Sequence, residues 1–122
     1  MGLEPPVESP DSDFRPWGYF SVLSDAPTHK VKRIVIHGNK RLSLQRHQRR
    51  AEHWYVVEGC GLVRIEGEEM AVTAGRSVDI PRGAWHRITN PDEADLVLIE
   101  VQTGDYFGED DIERREDDYG RT

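Results

Sequence analysis

The sequence predicts an all-β domain. From Phe14 to about Val101 the apolar residues fall in short runs of four to seven, rich in Val and Ile and separated by Gly, Pro, Asn or Asp, which is the spacing of many short strands. No segment sustains the helical period over a convincing length. In order, the expected strands are Gly18 to Leu23, Val31 to Ile36, Arg41 to Leu44, His53 to Glu58, Gly61 to Glu66, Met70 to Thr73, Ser77 to Ile80, Trp85 to Thr89 and Leu96 to Gln102. Turn signals such as EGCG, EGEE, TAGR, PRG and NPDE separate them. Nine strands without a long helix imply an antiparallel barrel or sandwich.

The ends differ from this middle. Residues 1–13 hold three prolines and four acids with little apolar surface, so they are expected to form a flexible lead to a barrel spanning 14–108. In the closing segment, 109–122, seven of the ten residues from Glu109 to Asp118 are acidic. Two readings stand: a solvated tail, or a short helix packed over the barrel.

At 122 residues the chain has room for one such domain, and 16 Lys plus Arg against 23 Asp plus Glu leave a net charge of −7. That balance argues against a general nucleic-acid or anionic-membrane surface. The start MGLEPPVESPDSDF lacks the basic-then-apolar pattern of a secretory signal, and no apolar window is long enough to span a bilayer, so a soluble, cytoplasmic protein is expected. The single cysteine, Cys60, forms no internal disulfide and excludes an all-cysteine metal site. It is read as an inert turn residue.

Four side chains fall at spacings that let them converge. Gln45 and His47 are two apart and share one face of an extended strand. Glu52 follows after a polar stretch long enough to turn, and His86 follows the Pro81-Arg82-Gly83 turn. One amide oxygen, one carboxylate and two imidazoles suit a divalent ion with open coordination positions: zinc first, with Mn, Co, Ni or Fe as alternatives.

The residues also carry a family resemblance. Glu52-(six residues)-Gly59 and Gly75-(five)-Pro81-Arg82-Gly83-(two)-His86-(three)-Asn90 resemble the two cupin motifs, with Gln45-x-His47 where the first motif usually has two histidines. The strings RPWGYFSVL, VKRIVI, RLSLQRHQRRAEHWYVVEG, IPRGAWHRITNP and IEVQTGDYFGEDDIERREDDYGR resemble the isomerase domain at the C-terminal end of bifunctional mannose-1-phosphate guanylyltransferase/mannose-6-phosphate isomerase enzymes. The resemblance covers residues 14 to 121 and implies a single-domain cupin, the double-stranded β-helix or jelly-roll barrel. It further implies a metal held by Gln45, His47, Glu52 and His86, a small-molecule sugar-phosphate substrate and a homodimer. The sequence departs from the family at His47-Gln48-Arg49, where relatives carry a histidine-rich run.

Aldose–ketose isomerisation moves a proton between C2 and C1 through an enediol, so it needs a Lewis acid and a base. Glu100 is the first candidate for the base. It shares a strand face with Leu96, Leu98 and Gln102, and that face points either into the barrel mouth or to solvent. Lys32 and His53 are the fallback groups for proton transfer, although Lys32 could equally belong to an outward basic rim. Among the basic residues, Arg50 and Arg121 match the resembled family's RAEHW and YGR strings and are the candidates for the substrate phosphate. Trp17, Trp54 and Trp85 are expected in the core. Two other classes remain: a non-catalytic cupin that binds a sugar phosphate or sugar nucleotide, and an Fe(II) oxygenase, which Gln45 disfavours.

Overall fold

The computed structural model of the protein describes residues 12–120. These form eleven strands in two antiparallel sheets and no helix. The strands are β1 (Ser12–Arg15), β2 (Gly18–Asp25), β3 (His29–Ile36), β4 (Gln45–Arg46), β5 (Arg50–Glu58), β6 (Cys60–Ile65), β7 (Glu68–Thr73), β8 (Ser77–Ile80), β9 (His86–Thr89), β10 (Leu96–Gly104) and β11 (Glu113–Arg114). One sheet runs β1-β2-β3-β10-β5-β8 and the other β11-β4-β9-β6-β7. Neither carries a helix on its faces, so the apolar faces bury against each other.

Alternation decides which residues turn inward. On β5, Arg50, Glu52, Trp54 and Val56 are buried while His53, Tyr55 and Val57 are exposed, the two-residue period of a strand with one wet face. β10 is covered more fully. Leu96 and Leu98 lie in a core with Ile34, Ile36, Val56, Val63, Ile80 and Ile88. Each such fully buried aliphatic side chain contributes about 1.5–3 kcal/mol.

Register sets a polarity gradient along the inner face. Leu98 stands opposite Ile34 on one side and Val56 on the other, while Glu100, two residues further on, stands opposite Lys32 and Trp54. Gln102 then faces Glu52. Directly opposed residues share a sheet face, so the interior changes from aliphatic to ionisable toward one end of the barrel.

The structure corrects the sequence reading in three places. Arg41 to Leu44 is not a strand: Arg41 makes an isolated bridge to Thr89, Leu42 N–H donates to Ile88, and Leu44 exchanges backbone hydrogen bonds with Glu116 and Arg115. The segment changes partners before a ladder can form, and the ladder begins only at Gln45. At the amino end, β1 begins at Ser12 and pairs with β2, so the barrel reaches into the stretch expected to be a flexible lead; residues 1–11 of that lead lie outside the described residues. At the carboxyl end no helix forms. Glu113–Arg114 instead pairs with β4, and Tyr119 packs against the core with its hydroxyl donating to the Arg41 carbonyl.

Two motif residues have plain backbone roles. Gly83 has φ +76, a left-handed conformation that favours glycine, and its N–H donates to the His47 carbonyl at 2.7 Å. Asn90, fully buried, donates from Nδ2 to the carbonyls of Ile36 and Ala94 and accepts from Asp92 N–H, which fixes the turn before β10. Among the described residues no helix is long and apolar enough to cross a membrane.

Candidate metal centre and its cavity

His47, Glu52 and His86 come together. Glu52 projects inward from β5, and His86 opens β9 in the facing sheet. His47 follows β4 in the turn held by Gly83. Their ligand atoms all lie within 4.8 Å of one another, with His47 Nε2 3.3 Å and His86 Nε2 3.5 Å from the two Glu52 oxygens. All three residues are buried. Gln45 sits directly opposite His86 in the β4–β9 ladder and lines the same cavity, which places its amide beside the cluster.

The other ring nitrogens fix the tautomers. His47 Nδ1 is 2.7 Å from the Asp111 carbonyl and His86 Nδ1 is 2.9 Å from the Ala84 carbonyl. A carbonyl only accepts, so each Nδ1 carries a proton and each Nε2 faces the cluster, the nitrogen through which such histidines bind a metal once it is deprotonated. Glu52 is steadied from both sides: Trp54 Nε1 donates to Oε1 at 3.2 Å and Arg50 Nε to Oε2 at 3.0 Å. Arg50 Nη2 also donates to His47 Nε2 at 3.2 Å. A guanidinium thus lies against the inward lone pairs, which are arranged to receive positive charge. On donor type, tautomer and burial these residues fit a divalent cation.

The electrostatics follow from burial and neighbours. Burial opposes ionisation of Glu52, but the hydrogen bond from His86 and the charges of His86, His47 and Arg50 outweigh it and hold its pKa well below the usual carboxylate range. Burial, with Arg50 adding to it, lowers His47 to about 4, while for His86 the Glu52 carboxylate overcomes burial and raises the pKa.

Glu100 also turns inward, so Leu96, Leu98, Glu100 and Gln102 form the buried face of β10. Burial first, and then the negative charge of Glu52, push its pKa up to about 7, against the lowering effect of Lys32, Arg50 and the hydrogen bond from Gln102 Nε2. Lys32 is inside as well, 4% exposed, rather than on an outward rim. His53 is not brought to the site. It points from the outer face of β5 and bonds to Asp79 across the β5–β8 ladder, because it is one residue out of phase with Glu52. This removes it from proton transfer.

The arginines that precede Arg50 are neutralised at the surface: Arg41 by Asp118, Arg46 by Glu113 and Arg49 by Asp105. Arg50 alone of these lines the cavity. Arg121 lies outside the described residues. Trp17 and Trp54 are in the core, but Trp85 is half-buried, with the guanidinium groups of Arg46 and Arg115 4.6 Å and 4.1 Å from its ring centre. Cys60 is not a turn residue: it opens β6, half-buried, and donates to Asp92.

An open cavity with polar and charged walls leads to the cluster. Several of its lining residues escaped the sequence reading, namely Arg15, Ser43 and Glu109, and Trp54 was read only as a core residue. Trp54 was legible in principle, since it lies two residues from Glu52 and so on the same face. The Asp111 carbonyl was not, because 64 residues separate it from His47.

Comparison with known proteins agrees with this geometry. Residues 7–117 match the family model described as mannose-6-phosphate isomerase C-terminal. The xanthan biosynthesis protein XanB of Xanthomonas campestris pv. campestris (strain B100) is 48% identical over 109 residues, covering 89% of this chain and 23% of that protein. The alginate biosynthesis protein AlgA of Pseudomonas aeruginosa is 46% identical over 109 residues, with the same shares. The mannose-1-phosphate guanylyltransferase ManC of Salmonella typhimurium is 44% identical over 108 residues, covering 88% of this chain and 22% of that protein. The chain therefore spans less than a quarter of the length of these relatives. Among solved structures, the capsular polysaccharide assembling protein CapF from Staphylococcus aureus superposes with a TM-score of 0.74 at 22% identity, covering 86% of this chain and 34% of that one. The cupin domain of Schizosaccharomyces pombe Cnp3 gives 0.68 at 14% identity, covering 71% and 64%. The likeness to the Cnp3 cupin domain establishes the cupin fold.

Proposed function

This chain belongs to the mannose-6-phosphate isomerase C-terminal family, and from that premise we propose that it is a metal-dependent aldose–ketose isomerase interconverting mannose 6-phosphate and fructose 6-phosphate. The observation that carries the reading is Glu100: a buried carboxyl poised near neutral pH, in the same cavity as a cluster of metal-ligating side chains.

A divalent ion held by Gln45, His47, Glu52 and His86 would supply Lewis-acid polarisation of the sugar oxygens. Glu100, as the carboxylate, takes the proton from C2 of the open-chain aldose. The electron pair of that C–H bond becomes the C1–C2 double bond, and the carbonyl pair moves to O1, which is protonated. Return of the proton to C1, with loss of the O2 proton, gives the ketose. Gln102 keeps Glu100 in place by donating from Nε2 to Oε1. Burial and the charge of Glu52 raise the base's pKa while Lys32, Arg50 and Gln102 restrain it, which keeps it close to working pH.

The test is a coupled isomerase assay on mannose 6-phosphate with metal-stripped protein, followed by Zn, Mn, Co and Ni in turn. Metal-dependent turnover that disappears in His47→Ala and His86→Ala variants is expected. The departure at Gln48 and Arg49 favours one other reading, a binding module without turnover. Stoichiometric metal binding with no turnover under any metal would select it.

A further inference from the structure

Lys32 has a counter-charge from an unusual place. Its side chain is 5% exposed, and Nζ is 3.1 Å from Oε1 of Glu109, whose own side chain is 52% exposed. A buried ammonium requires a partner. Here the partner is a surface carboxylate leaning into the cavity from the segment after β10. Glu109 and Lys32 line that cavity with Arg15 and Arg50. Arg15 reaches in from β1, and its guanidinium carbon and Lys32 Nζ lie 5.0 Å and 4.2 Å from the centre of one ring, Phe20. Burial would raise the pKa of Glu109, yet Lys32, Arg50 and Arg15 together hold it low, so the carboxylate sits where three cationic fields overlap. Arg50 Nη1 is buried and has no hydrogen-bond partner among the described residues, while Nε and Nη2 of the same group are engaged by Glu52 and His47.

We propose that Lys32 and Arg15, with Arg50 Nη1 beside them, form the receptor for the phosphate group of the substrate, and that Glu109 is a resident anion which the phosphate displaces. Identifying the phosphate as that of a sugar phosphate rests on the isomerase reading; the anion site itself does not. A phosphate dianion offers more charge and more acceptor oxygens than one carboxylate, so it can engage an ammonium and guanidinium donors together. The displaced Glu109 already stands half in water and its release leaves no charge stranded. The surface arginines of β4 and its neighbouring turns, Arg41, Arg46 and Arg49, are each paired with an acid and are not needed.

The test is calorimetric titration of the full chain with inorganic phosphate, with a chelator present so that no metal binds the phosphate. Glu109→Gln removes the competing charge and is expected to tighten binding at least about fivefold; Lys32→Gln and Arg15→Gln are each expected to weaken it about tenfold. Phosphate binding in Glu109→Gln that is no tighter than in the unaltered protein would overturn the proposal. So would unchanged binding in Arg15→Gln, a variant at a partly exposed position that leaves the core intact. The expected pattern without any isomerase turnover would retire the isomerase reading and keep the anion site, whereas turnover without the pattern would retire the anion site alone.

Discussion

Asp111 holds the turn that carries His47. Its carbonyl accepts from His47 Nδ1 at 2.7 Å, and its carboxylate accepts the backbone N–H groups of Gln48 and Arg49 at 3.1 Å and 2.9 Å. The acidic closing segment is therefore part of the candidate metal centre, since it sets the tautomer of a candidate ligand and the path of the chain behind it. Asp111→Ala removes both carboxylate acceptors and lets the carbonyl drift. The expected result is a loss of metal affinity of about tenfold, at the lower end of what such outer partners contribute, with the fold retained. Chelator competition measures it, and unchanged affinity would show that Asp111 does not position His47.

Glu100 and Glu52 are both buried carboxyls, but their surroundings push them in opposite directions, one up to about 7 and the other well below the usual range. Under the proposed isomerase function, such divergence suits Glu100 to proton transfer and Glu52 to holding a metal. Glu100→Gln is expected to lower kcat by about 10²–10⁴ while metal content stays at the unaltered level. Glu52→Gln is expected to lose metal and turnover together. Metal analysis alongside the coupled assay distinguishes them, and near-normal turnover in Glu100→Gln would remove it as the base.

Much of this centre was legible in the sequence because strand periodicity is local. Two-residue spacing put Gln45 with His47 and Glu100 with Gln102, and the segment boundaries of eight of the nine expected strands fall within a few residues of observed ones. The failures share a physical cause. His53 is a fallback group for proton transfer on sequence, yet the one-residue offset from Glu52 sends it to the opposite face of β5. The segment after β10 was read from its charge alone. Its acids are instead spent on Lys32, Arg46, Arg41 and the His47 turn, contacts made across more than 60 residues of chain that composition does not encode.

The raised pKa of Glu100 has a consequence for stability. Folding buries a carboxyl that prefers to be neutral, so between about pH 4.5 and 7 the folded chain binds a proton that the unfolded chain has released. Its stabilising contribution is complete below the unfolded pKa and is lost as pH rises through the folded one, an effect of up to about 3 kcal/mol. Glu100→Gln does not ionise and escapes this loss. Urea unfolding with a chelator present, at pH 5 and pH 8, should show the variant gaining on the unaltered protein at the higher pH. Parallel dependence of the two on pH would mean that Glu100 ionises in the fold at its ordinary value.

Stability should reside in the aliphatic half of the barrel and very little in its surface charge pairs. Leu98, 1% exposed, packs between Ile34 and Val56 in the β3–β10–β5 ladder, and truncating it leaves a cavity in the core. Leu98→Ala is expected to cost about 2–5 kcal/mol. The Arg41–Asp118 pair has good two-point geometry, at 2.7 Å and 2.8 Å, but both side chains are more than two-fifths exposed, so water and salt screen it. Asp118→Ala is expected to cost less than about 1 kcal/mol, and less again at high ionic strength. Denaturant midpoints of the two variants at low and high salt make the comparison. A cost for Asp118→Ala matching that of Leu98→Ala would mean that the closing segment is bound to the barrel as a structural member rather than held against it by the His47 turn and Tyr119.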